Sequence, residues 1–135
     1  MNFAGMNALA IIVAAIAAFA FGGAYYGLLS KPWMQAARID PAAVGRSAVP
    51  YVVSFLCELL MAWVLAGVIG HLGAGQVTLR NGIISGFFIW LGFLATCTAV
   101  NQRYEGFGWK LTLIDAGHWL GVSIVMGAVI GAFGV

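Results

Sequence analysis

Four long stretches of this chain carry almost no charge, and each is long enough to cross a lipid bilayer. A helix needs roughly 20 apolar residues to span a hydrocarbon core about 30 Å thick. The chain is 63% hydrophobic and 7% charged, which leaves too few ionisable groups to coat a water-soluble globule of 135 residues. We therefore predict an all-α integral membrane bundle of four transmembrane helices, with spans at about residues 7–29, 48–70, 80–101 and 110–133.

The chain is expected to form a single domain, residues 1–135, because no polar, proline-rich or low-complexity linker divides it. The first span could alternatively be a signal peptide. However, no Lys or Arg precedes its apolar run, and the run is longer than a typical signal core. We therefore expect the first span to be retained as a membrane helix.

The positive charges of the connecting segments predict the orientation, since short cytoplasmic loops are rich in Lys and Arg. Five of these residues lie in the loops after the first and third spans, and one lies on the other side: Lys31, Arg38, Arg46, Arg103 and Lys110 against Arg80. This distribution predicts cytoplasmic loops, both termini outside (N-out/C-out), and a multi-pass protein of the cell inner membrane. The first loop also contains a short amphipathic piece with Trp33, which we expect to lie at the membrane interface.

Glycine spacing indicates how the helices meet. Small residues let helix backbones approach closely in lipid, where the hydrophobic effect cannot draw one apolar face onto another. Four pairs of glycines stand four residues apart, so that each pair lies on one helix face: Gly23 and Gly27, Gly82 and Gly86, Gly117 and Gly121, Gly127 and Gly131. These pairs predict a tight bundle, and they leave open whether a given pair faces another helix of the same chain or a second copy.

Ionisable groups inside a span are costly, so they usually face protein or water and often mark function. Counting about 1.5 Å per residue from the cytoplasmic start of each helix, Glu58 and His118 both lie roughly 14 Å deep and Asp115 roughly 9 Å deep. Asp115 and His118 also share a helix face. We therefore predict one cluster of Glu58, Asp115 and His118 in the cytoplasmic half. Uncharged polar groups expected in the same half are Tyr25, Tyr26, Thr96, Thr98 and Asn101.

This cluster has three possible roles. It could only fasten helices together, or it could handle protons or bind a ligand. A metal site is the third possibility, yet no two of the candidate ligands have the spacing of a recognised metal motif, so we predict none. No nucleophile or phosphate-binding motif is present, no cofactor is indicated, and a net charge of +2 does not suggest a nucleic-acid partner.

Several motifs resemble a known family. They are Gly22-Gly23-Ala24-Tyr25-Tyr26 at the end of the first span, Lys31-Pro32-Trp33-Met34 after it, Asn101 and Glu105 near the end of the third span, and Leu113-Ile114-Asp115 in the glycine-rich last span. Together they are similar to the bacterial membrane family catalogued as domain of unknown function 1761, over nearly the whole chain. The resemblance implies a small multi-pass membrane protein. It implies no established activity and no catalytic residues.

The function that we expect is that of a non-enzymatic membrane subunit with a structural, ligand-binding or partner-binding role. Its partners would be the lipid bilayer and either a second copy or another membrane subunit. Two alternatives belong to other classes. One is a proton-coupled transporter or channel formed as an oligomer, and the other is a membrane enzyme acting on a lipid or a quinone.

Overall fold

The computed structural model describes residues 6–134, and within that range it contains helices and no strand. Four helical segments are long and apolar enough to cross a membrane, which confirms the predicted fold class. The helices are α1 (Ala8–Leu28), α2 (Ser30–Ala36), α3 (Val49–Gly70), α4 (Leu79–Ile89), α5 (Ala95–Tyr104) and α6 (Trp109–Phe133). A short 3-10 turn covers Pro41–Ala43, and a π-helical turn, Trp90–Leu94, joins α4 to α5 in one continuous span.

The helix starts follow local sequence signals. Asn7 caps α1, where its side-chain oxygen accepts from the backbone N–H of Ala10, and Thr78 caps α4 in the same way. Such caps satisfy backbone N–H groups that have no partner inside the helix. Pro50 lies in the first turn of α3, where a missing N–H costs little. The helix bounds lie close to the predicted ones, and the largest difference is that the third span continues to Tyr104.

Two threonines of the third span form hydrogen bonds with the π-helical turn. The N–H of Ala95 donates to the carbonyl of Trp90, five residues earlier, so the helix is locally widened. The Thr96 hydroxyl donates to the Gly92 carbonyl at 2.9 Å, and the Thr98 hydroxyl donates to the Leu94 carbonyl at 2.7 Å. Both hydroxyls therefore supply hydrogen bonds to carbonyls of the widened turn.

Glycines bring α4 and α6 into backbone contact. A Cβ atom on Gly82 would overlap the carbonyl oxygen of Gly127, and a Cβ on Gly127 would overlap the carbonyl oxygen of Gly82. Gly86 approaches the carbonyl of Ser123 in the same manner, and Gly131 approaches the carbonyl of Thr78. This contact is possible only because the four glycines carry no side chains.

Glycines on α6 also receive aromatic side chains from α1. The Phe21 ring occupies the space where Gly121 would carry a Cβ, and the Tyr25 hydroxyl lies beside Gly117. Gly23 and Gly27 contact no other helix within residues 6–134, because nothing there lies within 4 Å of the place where either would carry a Cβ. A contact of this pair with a second copy stays a prediction. The close approach on α1 occurs instead at Gly22, which lies on the face turned toward α6.

The apolar core lies between α1, α3 and α6, and α6 also contacts α4 and α5. Alanines line the α1 side of this core, which lets the three helices pack closely. Its fully buried members are Ala14, Ala15, Ala18, Ala62, Ile69, Val122 and Met126.

At the opposite end from the chain termini, the loop after α2 is bound to the loop before α6. The Arg38 guanidinium donates to the Gly106 carbonyl at 2.7 Å and lies over the Phe107 ring.

Candidate functional site

The Asp115 carboxylate binds three side chains from three different helices. Its Oδ1 accepts from the Tyr26 hydroxyl of α1 at 2.7 Å and from the Trp33 indole N–H of α2 at 3.1 Å. Its Oδ2 accepts from the Gln102 amide of α5 at 2.7 Å. Hydrogen bonds to a carboxylate are stronger than those between neutral groups. We call these four side chains the Asp115 node, and the node connects α1, α2 and α5 to α6.

A second chain of hydrogen bonds leads from the Asp115 node to a cation. The Gln102 side-chain oxygen accepts from the Thr112 hydroxyl at 2.7 Å, and the Thr112 oxygen accepts from the Arg103 Nη2 at 2.7 Å. The Arg103 guanidinium lies 3.8 Å from the centre of the Trp109 ring, a cation–π geometry. Every donor points from Arg103 toward Asp115, so the chain joins a positive end to a negative end and its bonds polarise one another.

The backbone of α6 on either side of Asp115 is held as well. The Tyr25 hydroxyl of α1 donates to the Ile114 carbonyl at 2.7 Å. The Trp90 indole, at the start of the π-helical turn, donates to the Ala116 carbonyl at 2.7 Å. Three consecutive residues of α6 therefore bind side chains from both neighbouring spans, which fixes the position of α6 along the bundle axis.

His118 lies beside the Asp115 node in an aromatic environment. Its ring centre is 4.7 Å from that of Tyr26 and 4.7 Å from that of Trp119. A Cβ on Gly22 would be 2.8 Å from His118 Nε2, so the imidazole fits against α1 only because that residue is glycine. His118 is buried, and its Nδ1 has no hydrogen-bond partner among residues 6–134. The Tyr26 side chain therefore contacts both His118, through its ring, and Asp115, through its hydroxyl.

Glu58 is buried away from these groups. It is 3% exposed, and its Oε2 atom has no hydrogen-bond partner in the described part of the chain. It lies one turn before Ala62, on the face of α3 that enters the apolar core. No hydrogen bond joins Glu58 to Asp115 or to His118 within that part.

Contacts with α1 give the relative depths of Glu58 and His118. The ring of Phe19 packs on Phe55, so Glu58, three residues further along α3, is level with about residue 16 of the antiparallel α1. His118 is level with Gly22. The two side chains are thus about six residues apart along α1, or roughly 9 Å. Glu58 and His118 therefore differ from the prediction that they share one depth, because α3 and α6 do not begin at the same level and α6 extends further at the loop end.

Of the predicted cluster, the structure brings together Asp115, His118, Tyr25 and Tyr26 and leaves Glu58 apart. Thr96 and Thr98 bind carbonyls of their own helix, and the Asn101 side chain is exposed. Among these residues there is no group of three His, Cys, Asp or Glu side chains in the described range that could hold a metal ion.

Gln102 and Trp33 belong to the node and were not predicted as site residues. In the sequence, Trp33 lies in the segment next to a span, where a tryptophan is expected to lie at the membrane interface and not in a polar site. Gln102 stands beside Asn101, and the sequence offers one signal for choosing between the two amides. The small residues Ala95 and Ala99 lie on the same helix face as Gln102, and a face of small residues is the one expected to meet another helix.

Comparison with known proteins identifies a family. The family model described as a protein of unknown function (DUF1761) matches residues 9–131. No curated protein and no solved structure matches the chain.

Proposed function

This chain belongs to the DUF1761 family, and we propose that it is a non-enzymatic membrane subunit that keeps a fixed shape and binds another membrane-embedded chain. The observation that carries this proposal is that both oxygens of the Asp115 carboxylate already accept hydrogen bonds from other helices. Three donors occupy its two oxygens. A carboxylate bound in this way connects helices and has little remaining capacity to bind a substrate.

The third span, α4 with α5, supplies the surface for the partner. Only 6% of its most apolar stretch is buried, against 28–33% for the other three spans. It contacts α6 through glycines and leaves large side chains outside, among them Phe88, Phe93 and Val100. The Asn101 amide is exposed at the end of the same helix, and an amide in such a position can form hydrogen bonds to a neighbouring helix.

The proposed orientation places both termini outside and the α2 and α5–α6 loops in the cytoplasm of a bacterial cell, in the inner membrane. The support is the distribution of charge, because five of the six Lys and Arg residues lie in these connecting segments or at the adjoining helix ends. A reporter enzyme that is active only outside the cytoplasm, fused to the C-terminus, is expected to be active. A cytoplasmic reporter fused at the same place is expected to be inactive.

Photo-crosslinking in native membranes tests the partner-binding proposal. A photoreactive amino acid is introduced at Phe88 or Val100 on the third span and, as a matched control, at Ile12 or Ile16 on the exposed face of α1. We expect discrete protein adducts from the third-span positions and none from the α1 positions. Adducts of twice the chain's mass would identify a second copy as the partner, and adducts of another mass would identify a different chain.

Two results would contradict the proposal. Lipid adducts alone at both third-span positions would show that this face meets only the bilayer. Protein adducts of equal yield from α1 and from the third span would show collisions in a crowded membrane rather than a specific surface.

A further inference from the structure

We propose that Glu58 is a proton-binding site inside the bundle, where a single carboxyl group takes up and releases one proton. This inference goes beyond partner binding and does not depend on it, because it rests on α3 and the core and not on the exposed third span. Three observations carry it: the burial of Glu58, the missing partner of its Oε2 atom, and its separation from the Asp115 node.

The surroundings of Glu58 favour the uncharged acid. The residues of its α3 face that follow toward the chain termini, Ala62, Leu65, Ala66 and Ile69, are all buried and apolar. At the level of Glu58, α1 contributes the fully buried Ala14, Ala15 and Ala18. An ionised carboxylate without a partner in such a place costs far more than the neutral acid. The core therefore tolerates Glu58 most readily with a proton bound.

The same surroundings select a proton over a metal ion. A cation such as Ca²⁺ or Mg²⁺ needs six or more oxygen ligands to replace its water shell. Glu58 has no companion of this kind, since the described residues contain no group of three His, Cys, Asp or Glu side chains that could hold a metal. A proton needs one oxygen atom. It is thus the one cation that this carboxyl can bind alone.

Few titratable groups on the neighbouring helices compete with Glu58. On α1 they are Tyr25 and Tyr26, and both hydroxyls are already bound to α6. On α6, Asp115 is occupied by its three donors, and His118 lies about two turns away along the axis. Cys57, beside Glu58 on α3, is exposed and faces away from the core. The remaining groups of α3, α4 and α6 sit at helix ends: Tyr51, His71, Arg80 and Lys110. A proton taken up in the core therefore belongs to Glu58 itself.

Infrared spectroscopy of the full chain in lipid films tests the proposal. We expect the carbonyl-stretch band of a protonated carboxylic acid in near-neutral buffer, where exposed carboxyls are already ionised. The band should move to lower frequency in D₂O and lose intensity when the buffer is made strongly alkaline. Glu58→Gln is expected to abolish the band. Glu105→Gln, which changes the chain's only other glutamate at an exposed loop position, is the matched control and is expected to keep it.

Isotope labelling keeps the test independent of folding defects. In unsubstituted protein made with ¹³C-labelled glutamate, the band is expected to shift, whereas aspartate labelling is expected to leave it in place. A band that is absent, that follows aspartate or that survives Glu58→Gln would overturn the proposal. So would a Glu58 band that does not exchange in D₂O and does not respond to alkaline buffer, because the proton would then be a permanent part of the structure.

Discussion

Gly82 of α4 and Gly127 of α6 meet so closely that a Cβ atom on either would overlap the carbonyl oxygen of the other. Two helices that touch through their backbones in this way gain van der Waals contact along their length. The carbonyls also face Cα–H groups at short range, which is a weakly favourable contact. The position of the third span against α6 therefore depends on two residues that have no side chain.

Alanine at either glycine is expected to destabilise the bundle. A methyl group would meet backbone rather than a flexible side chain, so α4 and α6 must separate, and such overpacking costs about 1–3 kcal/mol. The free energy of unfolding in mixed micelles, measured by titration with a denaturing detergent, checks this for Gly82→Ala and Gly127→Ala. Gly23→Ala and Gly27→Ala are the controls, since no other helix in the described part of the chain lies within 4 Å of their Cβ positions. Equal losses at all four positions would refute the predicted dependence on backbone contact.

Neutralising Asp115 is expected to loosen the loop end of the bundle. In Asp115→Asn, an amide N–H₂ group would replace one oxygen that now accepts from Tyr26 and Trp33 or from Gln102. Hydrogen bonds to charged groups contribute about 1.5–3 kcal/mol each, so the free energy of unfolding should fall by a similar amount. Glu105→Gln, at an exposed position, should change it little. An Asp115→Asn protein as stable as the unsubstituted one would show that the node does not hold the helices.

The contact of Gly22 with His118 predicts a compensating pair of substitutions. Gly22→Ala alone should destabilise the chain, because the new methyl group would lie 2.8 Å from His118 Nε2. In a His118→Ala background the same change should cost less, since the imidazole is gone. A double-mutant cycle on the free energy of unfolding is expected to give a coupling of about 0.5–3 kcal/mol, the range for residues in contact. A coupling near zero would mean that the two residues do not touch in the membrane.

Removing the Thr98 hydroxyl should weaken the junction of α4 with α5. Thr98→Val keeps the shape of the side chain but removes the donor to the Leu94 carbonyl, which is expected to cost about 0.5–1.5 kcal/mol. Thr98→Ser retains the hydroxyl and serves as the control. Hydrogen exchange of the Ala95 amide, which donates to Trp90 within the π-helical turn, should become faster in the valine variant only. Unchanged exchange of the Ala95 amide in Thr98→Val would show that the Thr98 hydroxyl does not stabilise the turn.

The four spans were predictable because they depend on local composition. Each helix satisfies its own backbone in lipid, so its existence follows from an uninterrupted apolar run, whatever the neighbouring helices do. The widened turn at Trp90–Leu94 was not predictable in this way. It depends on the hydrogen bond from the Trp90 indole to the Ala116 carbonyl of another helix. The order of apolar and polar residues along the chain does not show how close those two groups lie.

The polar site was predictable only in part, for a related reason. Asp115, Tyr25 and Tyr26 stand out because they are polar groups within apolar runs. Their partner Gln102 lies near the end of a span, where a polar residue is unremarkable in sequence. Glu58 would join them only if α3 and α6 began at the same level. The displacement of one helix along another depends on how the two pack, and neither sequence segment alone specifies it.

The long-range hydrogen bonds of α1, α2 and the loop after α2 have a consequence for biogenesis. Tyr25, Tyr26, Trp33 and Arg38 all donate to residues that follow 68 to 89 positions later in the chain. When these side chains leave the ribosome, the residues that accept their hydrogen bonds have not yet been synthesised. The N-terminal part of the chain must therefore enter the membrane with its polar groups held by water or lipid headgroups, and it acquires its final contacts only when the last helix inserts.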